Sequence, residues 1–146
     1  MRWHSVSASA VVLGPVGRIL AVQRRDTGAW VPPGGVVEEH EEVSEAARRE
    51  VFEETGIRVA LIQLAGIYQN VSTDVVSFVY TAEPTGGITP RPSNETTQIR
   101  WLTIIEAEEL MAPAFFMRVH DAVSADPKPI MRTIAEPNIT QAKRIS

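Results

Sequence analysis

The chain has 146 residues, of which 44% are hydrophobic and 22% charged, with a net charge of −4 and no cysteine. That length matches one domain with a real core, and the charge balance offers no basic excess for a nucleic-acid polymer. Without cysteine there is no disulfide framework, thiol nucleophile or thiolate metal site.

The opening stretch "MRWHSVSASAVVLGPVG" has a positive residue and a short apolar run. Gly14 and Pro15 break the run too early for a signal sequence, so a first β-strand is expected. No window approaches the ~20 apolar residues of a membrane span. A cytoplasmic protein with no membrane partner is the expectation. Alternation in "SVSASAVVL", a turn at "GPVG" and the run "RILAVQRR" predict a β-hairpin. "TGAWVPPGG" reads as a loop with one short extended piece. Good helix formers run from Val43 to Thr55, and Gly56 stands where a glycine ends a helix.

"RVALIQLAGIYQN" and "DVVSFVYTAE" are β-branched and apolar, and predict paired antiparallel strands. A loop, "PTGGITPRPSNET", leads to a short strand, "TQIRWLTI". "EAEELM" and "PAFFMRVHDAV" read as helices, the second with Phe116, Val119 and Val123 on one face. One domain is expected over residues 1–124. Residues 125–146 are proline-rich and polar, and read as a tail packed on the domain or on a second copy of the chain. A homodimer is therefore one expectation.

Chemistry concentrates between Pro32 and Ile57, where eight glutamates fall in 26 residues. On a helix, Glu50, Glu53 and Glu54 stand at i, i+3 and i+4, on one face. Val43, Ala47 and Val51 form the adjoining apolar stripe, so the carboxylates lie beside the buried edge. Each like-charged pair costs roughly 0.2–0.5 kcal/mol when exposed. A hard divalent cation with oxygen ligands reverses that sign. His4, His40 and His120 are scattered, which argues against zinc.

The same stretch resembles the Nudix box. It reads Gly35, "VVEEH", Glu41, "EVSEAAR", then Arg49-Glu50-Val51, Phe52, Glu53-Glu54, Thr55 and Gly56-Ile57, and every defined position matches. Seven fixed positions match by chance on the order of once in a hundred million starts. The preceding "GG" and the "QIRWLTIIEAEEL" segment extend the likeness over residues 5–123. His40 stands where many members have glycine.

The resemblance implies an α/β fold, an α/β/α sandwich with a mixed sheet, the box helix on one side and the C-terminal helices on the other. It implies hydrolysis of a nucleoside diphosphate linked to another moiety X, such as ADP-ribose. The alternatives are a house-cleaning nucleoside triphosphate pyrophosphohydrolase and a nucleotide-binding module without catalysis. Mg2+, with Mn2+ as a substitute, would be held by Glu50, Glu53 and Glu54, with Glu41 as an outer ligand. Glu50 or Glu95 would take the proton of the attacking water, and Arg49 would orient a box glutamate. For substrate contacts the candidates are Arg24, Arg25, Trp30, Gly34, Gly35, Tyr68, Asn70 and Phe78. Trp101 is expected in the core.

Overall fold

The computed structural model describes residues 3–124, 129–135, 138–139 and 143–144, the last two pairs as backbone only. The other residues of the tail expected from residue 125 lie outside the described residues.

Among the described residues, ten strands and three α-helices follow in chain order. They are β1 (Ser5–Val12), β2 (Ile19–Arg24), β3 (Trp30–Val31), β4 (Gly34–Val36), α1 (Val43–Thr55), β5 (Val59–Asn70) and β6 (Val75–Pro84). After these come β7 (Thr96–Leu102), α2 (Ile104–Leu110), α3 (Pro113–Val123), β8 (Ile130–Ala135), β9 (Asn138–Ile139) and β10 (Lys143–Arg144). The larger sheet is mixed, in the order β10-β8-β5-β6-β1-β4, with β9 also on β8. The smaller sheet has the order β3-β2-β7.

β1 shows why this arrangement wins. Ala8, Ala10, Val11 and Val12 are fully buried, so both faces of the strand need cover. Even-numbered residues pack with α1: Ala8 clusters with Ala46 and Ala47, while Ala10 and Val12 join Val51 and Ile57. Val11 on the other face joins Val79, Tyr68 and Val119 of α3. The larger sheet is thus sandwiched between α1 and α3, the architecture the resemblance implies.

The expected hairpin of residues 5–13 with 18–25 does not form. β1 takes β6 as a parallel neighbour and β4 as an antiparallel one. β2 leaves for the smaller sheet, between β3 and β7. A single bridge, Leu13 to Ile19, joins the two segments. The reason is burial: Ile19, Leu20, Ala21 and Val22 are all fully buried, and a central strand supplies the neighbours that an edge hairpin cannot.

β5 and β6 pair antiparallel across a turn at residues 71–74. α1 ends at Gly56, whose φ of 73° is the left-handed geometry that glycine adopts without cost. α2 begins with a capping box, in which Thr103 accepts from the Glu106 N–H and Glu106 accepts from the Thr103 N–H. α3 buries Val119, half-buries Phe116 and leaves Val123 exposed. Trp101 is half-buried, its indole N–H donating to the Ile88 carbonyl at 2.8 Å. Residues 130–135 are no loose appendage: β8 runs parallel to β5 from Gly66 to Asn70, with Ile134 in the core. The surface that orders them belongs to this chain's own β5. Among the described residues no helix is long and apolar enough to cross a membrane.

Candidate active site

α1 carries Glu50 and Glu54 up to the strand β4, and the loop before β7 brings Glu95 from the opposite side. One carboxylate oxygen from each of these three residues lies within 4.8 Å of the others. They line a cavity of about 670 Å³ together with Arg24, Arg25, Gly34 and Gly35. The glycines permit the close approach. A Cβ on Gly35 would stand 2.5 Å from the Glu50 carboxyl carbon, and one on Gly34 would stand 2.3 Å from the Ser9 Cβ. The Gly34 N–H donates to Glu54 at 3.3 Å.

Arg49 organises the acidic set from behind. Its Nε and Nη2 donate to the two Glu41 oxygens at 2.7 and 2.9 Å, a bidentate pair. Its Nη1 reaches Glu50 at 2.8 Å and Glu53 at 3.1 Å, and Nη2 also donates to the Val36 carbonyl at 3.1 Å. One guanidinium therefore ties the helix to the loop and to β4.

The electrostatics follow from this geometry. The Arg49 hydrogen bonds hold Glu41 down at about 2. Glu54 is pushed up to about 8, first by burial and then by the Glu50 charge beside it. Burial raises Glu50 as well, against the pull of Arg49. The site is thus a crowd of carboxylates that desolvation makes reluctant to ionise together. Its donors are all oxygens, with no histidine among them. That donor set fits a hard divalent cation, which Glu50, Glu54 and Glu95 could hold.

The candidates from the sequence separate here. Glu53 stands at the edge, its side chain 52% exposed and held by Arg49, while Glu95 joins the helix pair in the converging trio. Arg24 forms a two-point pair with Asp26 at 2.7 and 3.0 Å and lines the cavity. Arg25 donates to the Asn94 and Thr96 carbonyls, and its backbone N–H to the Glu95 carbonyl, so it fixes the loop that carries Glu95. Trp30 is buried in the core cluster with Val11 and Tyr68. Phe78 pairs with Ala8 on β1, on the α1 face of the sheet, because strand alternation sends Ser77 and Val79 to the other face. It lines neither cavity described here.

A second cavity of about 300 Å³ adjoins the first and shares Arg24, Val31, Gly34, Gly35 and Val36 with it. Tyr68 and Asn70 line it, as do Ser9, Phe115 and Arg118. Tyr68 is only 1% exposed, and its hydroxyl donates to Asp121 at 2.6 Å. Asn70 uses its side-chain oxygen to accept from the Ser72 and Thr73 N–H groups, which shapes the β5–β6 turn. Arg118, Asp121 and Arg132 were not among the candidates from the sequence. The available signal was an arginine three residues after Phe115 and an aspartate three residues further on, both on the face of one helix that carries Phe115.

The architecture is an α/β/α sandwich whose acidic residues gather between the helix α1 and the loop before β7. The chain belongs to the Nudix family: the NUDIX domain model matches residues 3–123. It is 44% identical over 120 residues to a MutT-like protein of Streptomyces ambofaciens, covering 82% of this chain and 77% of that one. It is 31% identical over 118 residues to a putative 8-oxo-dGTP diphosphatase of Bacillus subtilis (strain 168), covering 81% and 79%. Among solved structures, a NUDIX hydrolase from Nitrosomonas europaea matches with a TM-score of 0.81 at 18% identity, covering 93% of this chain and 81% of that one. An ADP-ribose pyrophosphatase from Streptococcus suis 89-1591 matches with a TM-score of 0.72 at 19% identity, covering 88% and 99%. These two structural likenesses speak to the fold. The chain is a hydrolase of the Nudix class.

Proposed function

We propose that the protein hydrolyses the diphosphate linkage of a small nucleotide, with Mg2+ as the working cation and Mn2+ as a substitute. The observation that carries this reading is the convergence of Glu50, Glu54 and Glu95 in one cavity roofed by Gly34 and Gly35. The substrate class comprises nucleoside triphosphates and nucleoside diphosphates linked to X. The triphosphate reading is favoured by the name of the 31% identical relative, whose alignment covers most of both chains. ADP-ribose is named only by a structural neighbour at 19% identity, and so stands second.

A divalent cation, when bound, supplies charge neutralisation to the phosphate oxygens. The chain's own residues do the rest. Glu50 and Glu54 offer carboxylate oxygens from α1, and Arg49 keeps Glu50 in place while holding Glu41 against the loop. Arg24, at the junction of the two cavities, holds the diphosphate. Glu95 is the exposed member of the trio, and it takes the proton as water attacks phosphorus. Glu53 completes the negative rim.

The test is a panel of nucleoside triphosphates and nucleoside diphosphate derivatives with Mg2+, read by phosphate release after phosphatase coupling. The expected result is turnover of at least one class and its loss in excess EDTA. Binding without turnover across the whole panel would make the chain a nucleotide-binding module instead.

A further inference from the structure

The second cavity has a polar balance that the acidic site does not explain. Among the described residues, two buried side-chain atoms lack a hydrogen-bond partner, Ser9 Oγ and Arg118 Nε, and both residues line this cavity. Buried polar groups are ordinarily satisfied, so a pair of exceptions at one place calls for a partner. Arg118 stacks over Phe115 and Tyr68, its guanidinium carbon 4.8 and 5.4 Å from the ring centres. Among the described residues it forms no ion pair, and no aspartate or glutamate lines the cavity.

The nearby carboxylate is already engaged. Asp121 accepts from Arg132 at 2.7 and 2.8 Å and from the Tyr68 hydroxyl at 2.6 Å. The group of Arg118, Asp121 and Arg132 therefore keeps one uncompensated positive charge. Burial lowers the Arg118 pKa to about 10, which leaves it protonated at neutral pH. A guanidinium has five N–H donors and no acceptor. Whatever fills the cavity must therefore present acceptors. The walls supplied by Val31, Val75, Ala114, Phe115 and Ile134 are apolar, which suits a flat ring better than a compact, fully hydrated ion.

We propose that Arg118 is a specificity-determining residue: it reads the acceptor edge of a purine seated in the second cavity, favouring a 6-oxopurine over adenine. This rests on the reading of the acidic cavity as the site of diphosphate hydrolysis: the cavities meet at Arg24, Gly34 and Gly35, so a nucleotide with its diphosphate in the first would place its base in the second. A 6-oxopurine offers O6 and N7 side by side, the pair of acceptors that arginine binds with two hydrogen bonds. Adenine replaces O6 with an amino donor, which sets donor against donor and leaves Arg118 unsatisfied. On this ground adenine nucleotides, ADP-ribose among them, are the poorer substrates.

ITP and ATP differ only at position 6 and in the N1 proton that accompanies the oxo group, and are the minimal pair; the Arg118 variants separate the two positions. The expected kcat/KM ratio for the unaltered protein with Mg2+ is at least about tenfold in favour of ITP, within the range one bidentate pair discriminates. Arg118→Met should erase the ratio by raising KM for ITP and leaving ATP nearly unchanged, while Arg118→Lys should keep only part of it. A ratio near one, or a preference for ATP, overturns the proposal. So does an Arg118→Met variant that weakens both nucleotides equally, the behaviour of a phosphate contact. If that variant does not fold, the ratio in the unaltered protein still decides. If neither nucleotide is hydrolysed, calorimetry with IMP and AMP separates the two ideas. Tighter IMP binding would keep the Arg118 assignment and sink the hydrolase reading, and equal binding would sink the assignment itself.

Discussion

The two adjoining cavities hold their charge in opposite ways. The acidic one crowds Glu50, Glu54 and Glu95 together and sets Arg49 behind them as a brace. Its neighbour holds the Arg118 guanidinium without an ion pair among the described residues, while Asp121 on the same helix is bound by Arg132 and Tyr68. Both arrangements are unfavourable in the free protein, because like charges repel and an unpaired cation resists burial. The difference is in what relieves them. A small hard cation would answer the first and an acceptor-rich ring the second. A nucleotide laid across Arg24 and Gly34 would satisfy both at once.

The comparison breaks hardest at Glu54. Glu54→Gln should lower turnover by at least about a hundredfold, the scale of one electrostatic or acid–base contribution. It should also raise the melting temperature in EDTA at neutral pH, since it removes a carboxyl that folding forces to keep a proton the unfolded chain releases. A variant that melts well below the parent in EDTA would mark Glu54 as a residue of the fold. Arg118→Met, in the other cavity, should leave the metal requirement unchanged.

Arg49→Lys tests the brace. Lysine keeps the charge but not the planar fork that grips Glu41 at two points and reaches Glu50, Glu53 and Val36. Loss of such a supporting partner typically weakens metal affinity about 10- to 100-fold. The measurement is the Mg2+ concentration at half-maximal rate, and an unchanged value would reduce Arg49 to a surface ion pair.

The acidic cavity was largely legible in the sequence because it is local. Glu50, Glu53 and Glu54 lie within one helix that Gly56 closes, and the helix period converts their spacing into a face. What spacing could not give was which of them converge. Glu95 enters from a loop 41 residues beyond Glu54, fixed by Arg25 through backbone carbonyls, and Glu53 turns to the rim. The neighbouring cavity was far less legible. Ser9, Tyr68, Phe115, Arg118 and Ile134 come from four separate elements, and only their packing makes them neighbours. The missed topology has the same cause. The run from Ser5 to Arg25 looks like a hairpin locally, yet burial on both faces divides it between two sheets. β8 was hidden by prolines and polar residues around a six-residue strand.

Acidity provides a finer probe of the carboxylate crowd. With its pKa raised to about 8 from an ordinary 4.5, Glu54 keeps a proton in the folded state that the unfolded chain releases. The folded state then binds more protons between about pH 4.5 and 8, so this group's contribution to stability declines as pH rises through that window. Glu41 and Asp121 are both held low and titrate below it. In EDTA the melting temperature should therefore fall from about pH 5 to 8, and Glu54→Gln should flatten the slope. Mg2+ should oppose it, because a cation that needs ionised ligands stabilises more at higher pH. A melting temperature in EDTA that climbs steadily to pH 8 would contradict the buried-carboxylate account.

The smallest expected effect lies at the approach to the acidic cavity. His40 has a φ of 63°, and its side chain is 91% exposed, with Glu39 at 3.9 Å as its ionic neighbour. A left-handed backbone costs a non-glycine residue roughly 1–2 kcal/mol. Glycine removes that cost but gives the unfolded chain more freedom, which returns roughly 0.5–1 kcal/mol of it. The net for His40→Gly is stabilising by a few tenths to about 1 kcal/mol, or about 1–4 °C in melting temperature for a domain of this size. Turnover and the preference between ITP and ATP should not move, because the turn precedes Glu41 without touching either cavity's lining. Calorimetry beside the two-substrate assay checks both halves. A lower melting temperature would show that the histidine side chain supports the turn, and a changed rate would show that backbone strain at residue 40 is transmitted through Glu41 and Arg49 to the carboxylates.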